Sequence, residues 1–172
     1  MREVFDLLAR IQKKRNIDLL IIGGWAHQAY GDDHFTADVD CLTTMEQDAF
    51  VGEELAGAGF ACSAENPVWR RYMHRCDPLL VLDVMRGDAG AFTGMVTSAH
   101  ESDFFGNRLR VPTRECLLAL NLRELDFPPP VLTSDQYARW LESIHAWMKQ
   151  TGALARSIAN RPRPVEEMFV MK

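Results

Sequence analysis

Val4, Leu7, Leu8 and Ile11 recur at three- and four-residue intervals with polar residues between them, so the spacing predicts an amphipathic helix over Glu3 to Lys14. Lys13, Lys14 and Arg15 close it, as the negative pole of a helix favours. Asp18 to Ile22 is a short apolar run that stops at Gly23-Gly24, the pattern of a buried strand ending in a tight turn. Trp25 to Tyr30 then reads as a short helix closed by Gly31, and Thr36 to Leu42 alternates as a strand does. Glu46 to Ala58 is expected to form a second long helix, with Gly59 just past its end. Phe60 to Ala64, Val68 to Arg75 and Leu79 to Met85 are three further strand candidates, punctuated by Pro67 and Asp77-Pro78.

Gly90 to Thr97 fits a short helix. Phe104 to Val111 carries Gly106-Asn107 at its centre, a two-residue hairpin signal. Thr113 reads as the N-cap of a helix reaching about Leu125, and Pro128-Pro129-Pro130 ends that segment. Tyr137, Trp140, Leu141, Ile144 and Met148 share one face of a helix that Ser134 opens and Gly152 closes. The rest, with Arg161-Pro162-Arg163-Pro164, reads as a tail. Mixed strands and helices followed by helices alone indicate an α+β or α/β domain with a helical subregion. The expected division is a core over 1–112, a C-terminal helical subregion over 113–152 packed on it, and a tail over 153–172.

The most informative tripeptide is Asp38-Val39-Asp40. On a strand, residues i and i+2 project from the same face. Two carboxylates so close repel unless a cation neutralises them. Asp83 lies inside Leu79-Leu80-Val81-Leu82-Asp83-Val84-Met85, where an unpaired carboxylate is costly. A neighbouring-strand position beside Asp38 and Asp40 accounts for it. Three such carboxylates suit two Mg²⁺ ions, with Mn²⁺ as the alternative, one activating the attacking oxygen and both offsetting charge on a transferred phosphorus. A strand ending in Gly23-Gly24 before a helix offers backbone N–H groups to a phosphate. Taken singly these features are common; their order along one chain is much more specific.

Ile22-Gly23-Gly24-Trp25, Thr36-Ala37-Asp38-Val39-Asp40 and Leu82-Asp83-Val84 together resemble the DNA polymerase β-like nucleotidyltransferase superfamily. The pattern is most similar to its small bacterial members, the abortive-infection toxins and the lincosamide-type antibiotic nucleotidyltransferases, which share a Gly-Gly-Trp. The segment from Arg110 to Leu120 also resembles the stretch after their catalytic core, so the resemblance spans about residues 1 to 125. It implies an α+β nucleotidyltransferase fold, a mixed β-sheet flanked by helices with a C-terminal helical subregion. It implies transfer of a nucleoside monophosphate from an NTP to a hydroxyl acceptor, with release of pyrophosphate. Asp38, Asp40 and Asp83 become the catalytic metal ligands, Asp83 also assisting deprotonation of the acceptor, and Gly23, Gly24 and Thr36 become nucleotide contacts. Many relatives carry Arg two residues before the threonine and Lys in the later helix; this chain has His34 and Asn121 there. Arg70, Arg71 or Arg123 are candidates to take over phosphate binding.

Trp69-Arg70-Arg71-Tyr72 interleaves basic and aromatic residues and could stack a base and pair a phosphate, with Trp69 and Arg71 on one face of a strand and Arg70 and Tyr72 on the other. A core-facing aromatic beside a snorkelling arginine fits equally. His27 and His34 are open to a substrate-contacting role or an ordinary half-buried one, while His74-Arg75-Cys76-Asp77 lacks partners at zinc-module spacing. Trp140, Trp147 and Tyr137 read as core or interface residues.

Composition narrows the partners. At 172 residues, 47% hydrophobic and 25% charged, the chain is an ordinary single-domain globular protein. Its longest apolar run, near Leu19 to Ile22, is too short for a membrane helix, and acids in the first turn do not suit a signal peptide; a cytoplasmic location is expected. Four cysteines without a CxxC pair read as reduced, mostly buried thiols. The net charge of −5 argues against loose, charge-driven binding to bulk nucleic acid, though not against a nucleic acid held by a local basic patch. The acceptor is thus left as RNA, protein or a small molecule such as an antibiotic, and a homodimer or an antitoxin partner is open. The competing reading is a non-catalytic nucleotidyltransferase-fold module that binds nucleotide or a toxin–antitoxin partner.

Overall fold

A computed structural model describes residues 1–33, 36–117 and 120. The chain runs α1 (Arg2–Arg15), β1 (Leu20–Ile22), α2 (Gly23–Ala29), β2 (Val39–Thr44), α3 (Asp48–Gly57), β3 (Phe60–Asn66), β4 (Trp69–His74), β5 (Val81–Gly87), α4 (Ala89–Ser98), β6 (His100–Phe104) and β7 (Asn107–Val111). The seven strands form one mixed sheet in the order β3-β4-β5-β2-β1-β7-β6. β2 and β5 run parallel, as do β1 and β7, while the other neighbours are antiparallel.

The apolar pattern explains the centre of this sheet. All three residues of β1 are buried, and Val39, Cys41, Leu82 and Val84 on the flanking strands are fully so. α1 buries Val4, Phe5, Leu7, Leu8 and Ile11, the stripe its periodicity predicts. Each such side chain is worth about 1.5–3 kcal/mol of transfer free energy before the entropy of ordering is subtracted. Asn16, in the left-handed conformation at φ 51°, ends the helix. Lys14 and Arg15, in its last turn, grip Glu54 of α3 at 2.8 and 2.7 Å and tie the two helices together.

Several boundaries differ from the sequence expectation. Gly23-Gly24 is the first turn of α2 and not a separate turn before it. The strand expected from Thr36 starts at Val39 and continues to Thr44. Asp38 therefore sits at the bend just before β2, because its carbonyl is taken by the Trp25 indole and the Thr36 hydroxyl and not by a ladder. The hairpin turns at Phe105-Gly106, one residue earlier than expected, with φ of 58° and 91° at the two loop positions. Positive φ at both suits the right-handed twist of a two-residue hairpin. The cost at Phe105 is offset by its ring, which packs 5.6 Å from those of both Phe5 and Trp25. β6 extends back to His100 because an edge strand tolerates the polar run His100 to Asp103. Of the four thiols, Cys41 and Cys116 are buried but Cys62 and Cys76 are exposed, so the expectation of mostly buried cysteines holds for half of them; all four are free.

Thr113 behaves as an N-cap, its hydroxyl accepting the N–H of Cys116 at 3.4 Å. The bulk of the expected subregion over 113–152 and the tail over 153–172 lie outside the described residues, as do His34, Asn121, Arg123, Tyr137, Trp140 and Trp147. No helix among the described residues is long and apolar enough to cross a membrane.

Candidate metal and nucleotide site

Strand register builds the site. Asp40 on β2 pairs with Asp83 on the parallel β5, and Asp83 pairs with Arg71 on the antiparallel β4. Residues in register on adjacent strands leave the sheet on the same side. Arg71, Asp83 and Asp40 therefore form a row across three strands. Asp38, two residues before Asp40, joins them from the bend. One oxygen from each of Asp38, Asp40 and Asp83 lies within 4.8 Å of the others. Asp83 is only 4% exposed, whereas Asp38 and Asp40 are half-buried and open to solvent. The donor set is all carboxylate oxygen, with neither sulfur nor imidazole, which fits a hard divalent cation such as Mg²⁺.

Each carboxylate is held by its surroundings. The Thr36 hydroxyl donates to Asp38 Oδ1 at 2.9 Å, and the Trp25 indole N–H donates to the Asp38 carbonyl at 3.0 Å. Trp25 is itself wedged against Phe5, ring centroids 5.1 Å apart, and Phe5 stacks on Phe104 at 4.9 Å. Packing between α1 and the β6–β7 hairpin thus reaches the Asp38 backbone through one indole. Asp40 lies directly over Gly23. A Cβ there would sit 2.1 Å from Asp40 Oδ2, and the residue's φ of +62° independently favours glycine. Gly24 is similarly close to Thr36, where a Cβ would meet the threonine Cβ at 2.5 Å. Both glycines are needed to let the carboxylate loop sit on the start of α2.

Arg71 supplies the countercharge. Its Nε donates to Asp83 Oδ1 at 2.9 Å and its Nη2 to Asp83 Oδ2 at 2.6 Å, a two-pronged pair, and Nη2 lies 3.4 Å from Asp38 Oδ2. The hydrogen bond to Asp83, opposed in part by burial and reinforced by the nearby aspartates, raises the guanidinium pKa further. The guanidinium also lies 5.5 Å from the centroid of Trp69, two residues back on the same face.

The structure thus brings together Gly23, Gly24, Thr36, Asp38, Asp40, Asp83 and Arg71. It does not bring Arg70, expected as a nucleotide contact. The alternation of β4 turns Arg70 and Tyr72 to the opposite side, where Arg70 pairs with the buried Asp48 of α3 at 2.7 Å and with Glu65 at 2.9 Å. Arg86 joins Asp48 at 3.5 Å and donates to the carbonyl of Asn66. His27 contacts Asp32 at 3.2 Å, and the His74 ring packs edge-on to Phe60. Trp25, singled out in the sequence only as part of Gly-Gly-Trp, joins Thr36 in holding the Asp38 backbone. Burial, assisted by the neighbouring carboxylates, pushes the Cys41 thiol up, so it is an inert core group.

This architecture is that of the nucleotidyltransferase fold. The structure of ANT(2'')-Ia in complex with adenylyl-2''-tobramycin superposes with a TM-score of 0.59 at 16% identity, covering 87% of this chain and 97% of that one. The solution structure of ANT(2'')-Ia, an antibiotic-resistance factor, gives 0.54 at 17% identity over 94% of this chain and all of the other. The lincosamide antibiotic adenylyltransferase LnuA, lincomycin-bound, gives 0.54 at 16% identity, covering 84% and 97%. No protein-family model matches the sequence, and no curated protein matches it.

Proposed function

We propose that the chain is a metal-dependent nucleotidyltransferase that moves a nucleoside monophosphate from an NTP to a hydroxyl acceptor and releases pyrophosphate. The observation that carries this reading is the convergence of Asp38, Asp40 and Asp83 within 4.8 Å at the glycine start of α2. Asp38 and Asp40 are the half-buried ligands in this reading and Asp83 the buried one. Bound there, Mg²⁺ would polarise phosphoryl oxygens and offset the charge that builds during transfer. The N–H groups of Gly23 and Gly24 face the triphosphate in this reading, and Thr36 holds Asp38 in position for it. The acceptor oxygen bonds to the α-phosphorus as the bond to pyrophosphate breaks. The proton of the acceptor hydroxyl passes to a carboxylate of the cluster, Asp83 assisting in this reading.

Small hydroxylated antibiotics are the favoured acceptor class. The fold neighbours include one holding an adenylylated tobramycin and one holding lincomycin, and the chain's charge of −5 disfavours bulk RNA. A second reading, a non-catalytic nucleotide-binding module, draws on the Arg71–Asp83 pair, which neutralises the buried carboxylate without a metal. Incubation with α-labelled NTPs, Mg²⁺ and a panel of aminoglycosides and lincosamides separates the two. The enzyme reading expects label on an acceptor, Mg²⁺-dependent and lost by at least about 100-fold in Asp40→Asn. NTP binding that is indifferent to Mg²⁺ and to Asp40→Asn, with no transfer, supports the module.

A further inference from the structure

We infer that Arg71 is an exchangeable counter-ion of the carboxylate cluster: it holds Asp83 when metal is absent and turns to the nucleotide phosphates when metal loads. The inference rests on the metal-dependent reading above and adds an order to it, metal before nucleotide.

Three carboxylates and one guanidinium leave the cluster formally at −2, so Arg71 lessens the mutual repulsion but does not cancel it. Both oxygens of Asp83 are engaged by the arginine, and Asp83 is too buried for water to replace that contact cheaply. A divalent cation seeking Asp83 must therefore compete with a two-pronged, charge-assisted pair. The arginine is the partner that can leave. Its side chain is 40% exposed where that of Asp83 is 6%. Its third contact, to Asp38 Oδ2, is long at 3.4 Å. The Trp69 ring on the same face gives the released guanidinium a surface to lie along. Once a cation takes Asp83, the guanidinium beside it is repelled by the ion and loses its two-pronged partner, keeping only the long contact to Asp38. A triphosphate at the same cluster supplies a new partner, in the planar, forked geometry that arginine binds best. The rotation keeps every proton in place and exchanges only ionic partners.

The test is a Mn²⁺ titration of the full chain, read by the paramagnetic signal of free ion, followed by ATP binding at saturating Mn²⁺. Arg71→Met should bind Mn²⁺ at least about tenfold more tightly than the unaltered chain, since a charge-assisted competitor is gone. The same variant should bind ATP about tenfold more weakly once metal is saturating. Arg71→Lys, which keeps the charge but not the fork, should fall between the two on both axes and serves if the methionine variant does not fold. Mn²⁺ affinity that is unchanged or weaker in both variants overturns the inference, as does ATP affinity unchanged in both. Asp40→Asn in the same titration isolates the underlying reading. If the unaltered chain binds Mn²⁺ and Asp40→Asn does not, the metal site stands whatever Arg71 does. If neither binds it and Arg71→Met also fails to, the metal reading falls and this inference with it.

Discussion

At the scale of single residues, glycine and the carboxylate it faces are one unit. Gly23 leaves room for Asp40, and Gly24 leaves room for the threonine that orients Asp38. The usual argument for such glycines is access for phosphate; here the protein's own side chains already require them. Gly23→Ala should cost roughly 1–3 kcal/mol of stability, from positive φ and from displacing Asp40. It should weaken Mn²⁺ binding more than Gly31→Ala, at a residue also of positive φ but with open space around it. Urea denaturation and Mn²⁺ titration of the two variants check this. Equal loss of metal binding in both would mean that backbone strain alone matters and that the contact with Asp40 does not.

At the scale of elements, the amphipathic stripe of α1, the buried strand Leu20–Ile22 and the strand bearing Asp83 were legible because periodicity and apolar runs are local signals. So was the split of Trp69-Arg70-Arg71-Tyr72 between two faces, although which arginine reaches the cluster depends on register with β5, and that is set by pairing distant in sequence. The bend at Asp38 was illegible in part for the same reason: the Thr36 hydroxyl that takes its carbonyl is local, but the Trp25 indole that shares it comes from thirteen residues away. The hairpin was seen but turned one residue late, since Phe105 is an unusual choice for positive φ and only its ring contacts explain it. Glu54 shows how elements are clamped. Hydrogen bonds from Lys14 and then Arg15 hold its carboxyl below the usual value of 4.5. A depressed carboxyl pKa adds stability that is present above the unfolded value and is lost as pH falls through the folded one. The unaltered chain should therefore lose stability more steeply below pH 4.5 than Glu54→Gln, as followed by urea midpoints across that range. Parallel slopes for the two would show that the clamp contributes nothing to the folded state.

At the scale of the whole molecule, the sheet works as a frame with two polar rows facing opposite ways. On one side Arg71, Asp83 and Asp40 line up across β4, β5 and β2. On the other, Arg70 and Arg86 close on Asp48 of α3. The second row closes on the buried Asp48 and ties helix to sheet; the first is open at Asp38 and Asp40. That openness is what distinguishes the first row from the second and leaves its carboxylates within reach of solvent. The most direct measurement is a crystal grown with Mn²⁺ and a non-hydrolysable NTP, examined for anomalous scattering. The account predicts a peak about 2.0–2.2 Å from oxygens of Asp38 and Asp40, with the triphosphate against Gly23 and Gly24 and Arg71 turned from Asp83. Bound nucleotide with no anomalous peak among these three aspartates, or a peak elsewhere with Arg71 still on Asp83, would contradict it.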